Sequence, residues 1–552
     1  MDKICQYFSF LFLLCGLITA CHDDMGNYDY QNINEITVTI PAQVSVKIPE
    51  TDSILVEVMP EISQLDAEGE SNLSFEWRID AVADKTWQIY SQEKKLQFYV
   101  KPDTKNTTFR LGVTDENLGI TSYKEILIRA LKPFEDTWFV LQNVQGRSVL
   151  ATIDGTGENS IVTKDIYEAK YPGGYQLQGA PRFVNYSFYQ EGGNSVDWHL
   201  NILTDQGGDM YQAKKLSEPV YHYAELLFEA TLRGEWSFKP EYVYSYDMGN
   251  IIIDNGRLWY AYGNGYFVYF PLQLAAGLGT DYKITCAMPF YVFGTSRDYL
   301  LAFDDLNKRF LYCKPPYPQG VEGLLRDAGF QSMWEMFYSM LEGTAKLTKV
   351  PDLEKHPNVF SPEIGEDKSL LYMGNWASGN VVAFAGSRQD GKLHVYEFSR
   401  SAVVSQDTAV CLNHLSCQLA GNMEEMSFAT STSYRNLFFY SQGNCVYRVD
   451  LNRAIPKTTI IYENPDATAR IKKIKFRHTY KNTWIDNTTK EERRDQPYWL
   501  GLAVQKGTEW SFVDLKLAIS GEVEKDAGKN PKVYEYNGFD EIVDMTYAFP
   551  VN

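Results

Sequence analysis

The sequence predicts an all-β protein, a small sandwich followed by a propeller, and three observations carry that prediction. Apolar and polar residues alternate over short runs near the N-terminus, as in Ile36, Val38 and Ile40. A figure of apolar strand, turn with Gly or Asn, and second strand then recurs along the rest of the chain. Aromatic residues make up 14% of the 552 positions, and rings pack well on a pleated surface.

Charge and hydropathy exclude several classes. The balance of 52 Lys and Arg against 71 Asp and Glu leaves −19. Nucleic acid and anionic lipid surfaces both select a cationic face, so neither is an expected partner. The mean hydropathy of −0.33 and a single short apolar run argue against a polytopic membrane protein. Seven histidines leave metal or acid–base chemistry few residues to draw on.

Residues 1–20 read as a signal peptide. Lys3 supplies the positive charge, and Phe8 to Ala20 is an apolar run too short to span a bilayer. Leu17-Ile18-Thr19-Ala20-Cys21 resembles the lipobox of bacterial lipoproteins. The resemblance implies that Cys21 is acylated and that a lipid anchor alone holds the chain to the membrane. His22-Asp23-Asp24 resembles the export signal of surface lipoproteins in Gram-negative bacteria that use SusC/SusD-type nutrient uptake. It implies an outer-membrane location facing the cell exterior. Residues 21–35 are then an acylated tether.

Residues 36–131 read as an immunoglobulin-like sandwich. Short alternating runs (Ile36 to Ile40, Val44 to Ile48, Ile54 to Val58) are punctuated by Pro41, Pro49 and Pro60. Phe75-Glu76-Trp77-Arg78-Ile79 places Trp77 as the core ring. Val113-Thr114-Asp115, a turn ending at Gly119, and Tyr123 to Ile128 form the closing pair. With Asn27-Tyr28-Asp29-Tyr30 after the lipobox, these segments resemble the PKD-like family of surface lipoproteins. The resemblance is best over roughly residues 20–150. It implies a larger C-terminal domain and association with SusC/SusD-type transporters, and it transfers no catalytic motif.

Residues 132–552 read as the propeller. The turn markers are Gly146, Gly208, Gly256, Asn307, Gly391, Gly443 and Gly507, spaced 62, 48, 51, 84, 52 and 64 apart. Several spacings lie near the ~50 of a kelch-type blade, and seven markers predict seven blades. A hairpin cannot bury its own face, whereas a closed ring buries all of them. The 84-residue gap holds Phe330, Met333, Trp334, Phe337, Met340 and Leu341 at helical spacing, a short helical insertion. Ile542-Val543 and Met545 to Phe549 can pair with the first blade and close the ring.

Chemical motifs are sparse. The sequence holds no GxSxG, HExxH, P-loop or GxGxxG, and no catalytic residue, cofactor or metal ligand is expected. Asp304-Asp305-Leu306-Asn307 could offer oxygen ligands to calcium but reads as turn chemistry. Five cysteines remain after Cys5, Cys15 and Cys21. Cys286, Cys313, Cys411, Cys417 and Cys445 read as buried apolar residues with room for one disulfide. Trp376, Trp484 and Trp198 lie in polar, turn-rich surroundings and are the candidate ligand contacts, because sugar rings stack on indole. Trp can also plug blade interfaces. Arg470, Lys472, Lys473, Lys475 and Arg477 form a basic run that reads as the solvated face of a strand or, alternatively, as a site for an acidic ligand. The leading expectation is a non-catalytic binding or accessory component of a nutrient uptake system, with a glycan as ligand. A propeller glycoside hydrolase or lyase and a structural or adhesive surface module are the alternatives.

Overall fold

The computed structural model describes residues 34–49, 52–65, 70–81, 86–131, 134, 136–191, 195–212, 216, 219–226, 239–246, 249–262, 270–290, 300–313, 346–376, 379–400, 408–477 and 498–548. The signal segment, Cys21, most of the tether, the helical insertion and Trp484 lie outside the described residues. The chain divides into two compact units, Met1–Val44 with Pro49–Arg129 and Ser45–Ile48 with Ala130–Asn552.

The N-terminal unit is a β-sandwich. Its larger sheet runs in the order Gln43–Lys47, Ile120–Leu131, Thr107–Asp115, Leu73–Ala81, Thr86–Ser91, and the pair Ile54–Val58 with Leu96–Val100 covers its inner face. Alternation dictates what is buried. Trp77, Phe109, Leu111, Val113, Ile126 and Ile128 on the larger sheet are buried, as are Val56, Val58, Leu96 and Val100 on the pair. The Trp77 indole donates to the carbonyl of Lys94 at 3.1 Å. In the closing hairpin, Asp115 Oδ1 accepts the amides of Asn117 (2.8 Å) and Leu118 (3.3 Å), and Gly119 sits at φ 68°. That is why Asp and Gly stand at those positions.

The C-terminal unit is a propeller in which seven sheets, here blades 1 to 7, are visible among the described residues, antiparallel but for one short parallel pair in blade 4. The inner strands of blades 2 to 7 are Pro181–Glu191, Pro240–Tyr246, Ile284–Pro289, Lys368–Asn375, Phe428–Ala429 and Arg470–Phe476. Each is followed outward by the next strands in sequence, and in blade 4 the strand before it, Gln273–Leu274, adds at the outer edge. Blade 1 is composite. Its inner strand is the C-terminal Glu541–Ala548, paired antiparallel with Thr137–Val144, so the two ends of the propeller sequence share one sheet. Neighbouring inner strands touch around the circuit, with blade 4 reached from blade 3 through Gly249–Asp254.

Each of the seven turn markers lies in or beside the hairpin between the second and third strands of one blade, in order. At the first and third, two successive residues have positive φ: Gln145 at 53° with Gly146 at 84°, and Asn255 at 49° with Gly256 at 74°. This is the turn whose twist matches that of the flanking strands, and it favours Gly at the second position. Blades pack face to face through apolar side chains. Val382, Phe384 and Val395 of blade 5 meet Phe428, Phe438 and Tyr440 of blade 6 in one cluster.

Candidate ligand-binding site

Six of the seven inner strands carry a register shift near their starts. One residue is skipped at Arg182, Glu241, Thr285, Leu371, Lys472 and Val543. A bulge of this kind bends a strand and re-aims the side chains after it. The residues that follow are Phe183, Tyr242, Cys286, Tyr372, Lys473 and Asp544. They form one band of side chains around the propeller axis.

Contacts within the band cross the axis. Lys475 of blade 7 sits with Nζ 5.2 Å from the ring centroid of Phe183 on blade 2, although blade 1 lies between them. Phe183 packs on Tyr242 of blade 3 at 5.3 Å between centroids. Cys286 of blade 4 and Tyr372 of blade 5 lie near enough to Tyr242 to add to the rise that burial gives its pKa. The Tyr372 hydroxyl lies 3.0 Å from Thr430 Oγ1 and accepts the Thr430 amide at 3.1 Å. Gly374 leaves room for this pair, since a Cβ there would stand 2.4 Å from both hydroxyl oxygens. Side chains that reach past an intervening blade must line the central channel.

The wall has two chemical halves. One is an aromatic arc of Phe183, Tyr242, Tyr244 and Tyr372, in which the Tyr242 and Tyr244 rings are parallel within 3° at 6.3 Å. The other is ionic. Lys473 Nζ lies 2.7 Å and Lys475 Nζ 2.9 Å from Asp544 Oδ1, and Asp544 Oδ2 accepts the Val184 amide at 3.0 Å. Asp544 is fully buried, whereas the lysine side chains keep 32% and 28% of their surface exposed. On the innermost strands, that surface faces the channel.

Burial sets the protonation states. It pushes Tyr242 well above the usual phenol value, raises Tyr372, and lifts the Cys286 thiol to about 12. Burial also lowers Lys475, with Asp544 opposing it. At Asp544 burial works upward, but the two ammonium groups outweigh it and hold the carboxyl below its usual value. The phenols, thiol and carboxylate are thus moved away from neutrality, where an acid–base catalyst works best, and Lys475 toward it.

The wall differs from the sequence-based candidates. Trp376 is not an exposed ring; it is 1% exposed and packed with Val382, Phe384 and Phe438 between blades 5 and 6. The Trp376 amide donates to the Asn380 carbonyl at 2.9 Å, which folds the turn-rich loop back so that the indole plugs the interface. Trp198 lies on blade 2 opposite Phe188, and its side chain, like Trp484, is outside what is described. The basic run is the inner strand Arg470–Phe476, on which Arg470 and Lys472 are exposed while Lys473 and Lys475 pair with Asp544.

Arg477, just beyond that strand, is wholly buried at the seam of blades 7 and 1. It pairs with Asp514, lies 3.5 Å from Asp136, donates to Thr156 Oγ1 (3.0 Å) and the Tyr547 hydroxyl (3.2 Å), and stacks 4.4 Å from Trp499 and Tyr547. Elsewhere, Asp304 is consumed by turn contacts, accepting from the Lys283 amide, Asn307 and Arg309. All five described cysteines are free, so the disulfide allowed by the sequence does not form. Among the described residues, no group of three or more His, Cys, Asp or Glu is placed to hold a metal ion.

Comparison with solved structures returns distant likenesses. A quinonprotein alcohol dehydrogenase-like protein from Bacteroides thetaiotaomicron VPI-5482 is 10% identical, with 95% of this chain and 98% of that one covered and a TM-score of 0.39. Dihydro-heme d1 dehydrogenase NirN is 10% identical over 85% and 76%, with a TM-score of 0.33. Apo AztD from Citrobacter koseri is 8% identical over 85% and 100%, also at 0.33. At this distance they assign neither ligand nor chemistry to this chain. No curated protein matches the sequence. Residues 21–181 match the model of the PKD-like family, so the family resemblance resides in the N-terminal part of the chain.

Proposed function

We propose that this chain is a lipid-anchored surface protein whose propeller captures an extracellular glycan without transforming it, as an accessory of SusC/SusD-type uptake. The observation that carries the binding role is the channel wall, where an aromatic arc faces a pair of ammonium groups. Pyranose rings have apolar faces that stack on Phe and Tyr, and hydroxyls that accept from phenol and ammonium donors. The phenols, thiol and carboxylate are displaced from neutrality, which favours holding a ligand over exchanging protons with it. The lipobox at Cys21 and the acidic pair Asp23-Asp24 support the anchored, outward-facing location.

Purified protein should bind one or more oligosaccharides in a glycan screen. Phe183→Ala or Tyr242→Ala should weaken that binding by roughly 1–3 kcal/mol, as aromatic anchors do. Turnover of a bound oligosaccharide, lost on a single Asp, Glu or Lys substitution in the wall, would replace capture with catalysis. Anchoring is tested separately. Cys21→Ala should move the protein out of the detergent phase in phase partitioning, and unchanged partitioning would place the anchor elsewhere.

A further inference from the structure

We infer that the glycan taken by the channel is anionic and that Lys473 and Lys475 receive its carboxylate. The inference rests on the axial binding site proposed above and names the class of its ligand. Two ammonium groups share one carboxylate, and that carboxylate is wholly enclosed. Asp544 takes Lys473 at 2.7 Å, Lys475 at 2.9 Å and the Val184 amide at 3.0 Å, with no exposed surface left. Both lysines nevertheless keep about a third of their side-chain surface open to the channel. The wall therefore holds one positive charge more than it neutralises.

The bulge residues one position earlier keep the same sign. Arg182 and Lys472 are exposed there, against Glu241 as the single acid. Counting Arg182, Lys472, Lys473 and Lys475 against Glu241 and Asp544, the six charges of this band sum to +2 in a chain whose net charge is −19. Positive charge concentrated at the axis of an acidic protein is complementary to an anion, and attracts a neutral ligand less. The opposite half of the wall selects within the anions. The parallel rings of Tyr242 and Tyr244, with Phe183 beside them, offer flat apolar faces suited to a pyranose. Phe183 also lies under Lys475 at 5.2 Å. A sugar stacked on the arc would thus hold an exocyclic carboxylate next to the ammonium pair. A uronic acid has that shape.

The test pairs each acidic oligosaccharide with its own methyl ester. The esters keep the rings and hydroxyls of oligogalacturonate, alginate and glucuronoxylan fragments and remove only the charge. By calorimetry, at least one free acid should bind about tenfold more tightly than its ester, the gain expected of one charge-assisted contact. High salt should erode that gain. Lys475→Gln leaves Lys473 on Asp544, so the buried carboxylate keeps a cation. This variant should weaken the acid more than the ester, which also donates its hydroxyls to the wall, and so bring the two affinities together. Equal binding of acid and ester, or an acid that ignores Lys475→Gln and the Lys473→Gln, Lys475→Gln pair, would overturn the inference. So would a screen in which only neutral glycans bind. In those cases the axial site itself stands if Phe183→Ala still weakens binding, and falls with the inference if it does not. A preference for acidic peptides over acidic glycans would also overturn it.

Discussion

Arg477 shows how much one side chain can be asked to hold. A guanidinium with no exposed surface is tolerated because two carboxylates, two hydroxyls and two aromatic faces surround it. Removing one partner of such a cluster strands the others away from water. Arg477→Met should therefore cost about 3–5 kcal/mol, read as a shift of the denaturant midpoint. Arg477→Lys should recover little, because an ammonium cannot stack between Trp499 and Tyr547 or fork toward Asp514. The pH dependence at Asp544 has a definite sign. Its folded pKa is depressed, so its contribution to stability is complete above the ordinary carboxyl value of 3.8 and is lost as pH falls below it. Thermal melts of wild type should decline on that acid side, and Asp544→Asn should flatten that part of the decline. Lys475 works in the opposite sense. Its folded pKa is lowered, so its charge opposes folding until pH rises toward 10.5. Single residues were also where sequence reasoning was weakest. Trp376 sits among Gly, Asn and Ser and reads as exposed, but a loop that folds back buries its ring, and no local pattern records that return.

At the scale of elements, the hairpins were legible and the inner strands were not. Turn chemistry is local, so a Gly or Asn between two apolar runs marks each blade's central hairpin without knowledge of the ring. An inner strand has one edge and part of one face on a channel, which blurs the two-residue alternation. Its bulge then shifts the alternation by one. Arg470–Phe476 is the clearest case, since its lysines resemble an outer face until Asp544 is brought beside them from 69 residues away. Blade 6 shows the limit, with an inner strand of two residues, Phe428–Ala429. Within the blades, packing is close enough to test. A Cβ at Gly501 would stand 2.8 Å from Phe512 Cζ and 2.8 Å from Trp138 Cζ2. Gly501→Ala should thus cost roughly 1–3 kcal/mol by overpacking, and a melting temperature equal to wild type would show that Trp138 can yield.

For the whole molecule, closure is the deciding event. Trp138 pairs with Tyr547 across more than 400 residues of sequence, and contacts of that separation form late and slowly. A chain ending at Asp540 would leave Thr137–Val144 without its inner partner and Asp136 without the Tyr547 hydroxyl. It should lose cooperative unfolding, which calorimetry would show as a broad or absent transition. The tail pattern Ile542, Met545, Tyr547 announces this pairing in the sequence because a lone terminal strand has to find an edge. The axial band was not legible at this scale. Its members come from six blades and meet only once the ring exists.

The repeated bulge has an evolutionary consequence. Because six of the seven blades deliver a channel residue from just past a bulge in the inner strand, the six positions are separate seats around one table. A codon change at Phe183, Tyr242, Cys286 or Tyr372 alters one seat without re-siting the backbones of its neighbours, which belong to other sheets, whereas Lys473 and Asp544 change as a pair. Such a scaffold can drift from one ligand to another by single steps, each retaining most of the previous guest's contacts. Libraries varied at these six codons alone should therefore yield folded proteins with altered ligand preference more often than libraries of equal size spread over the blade faces.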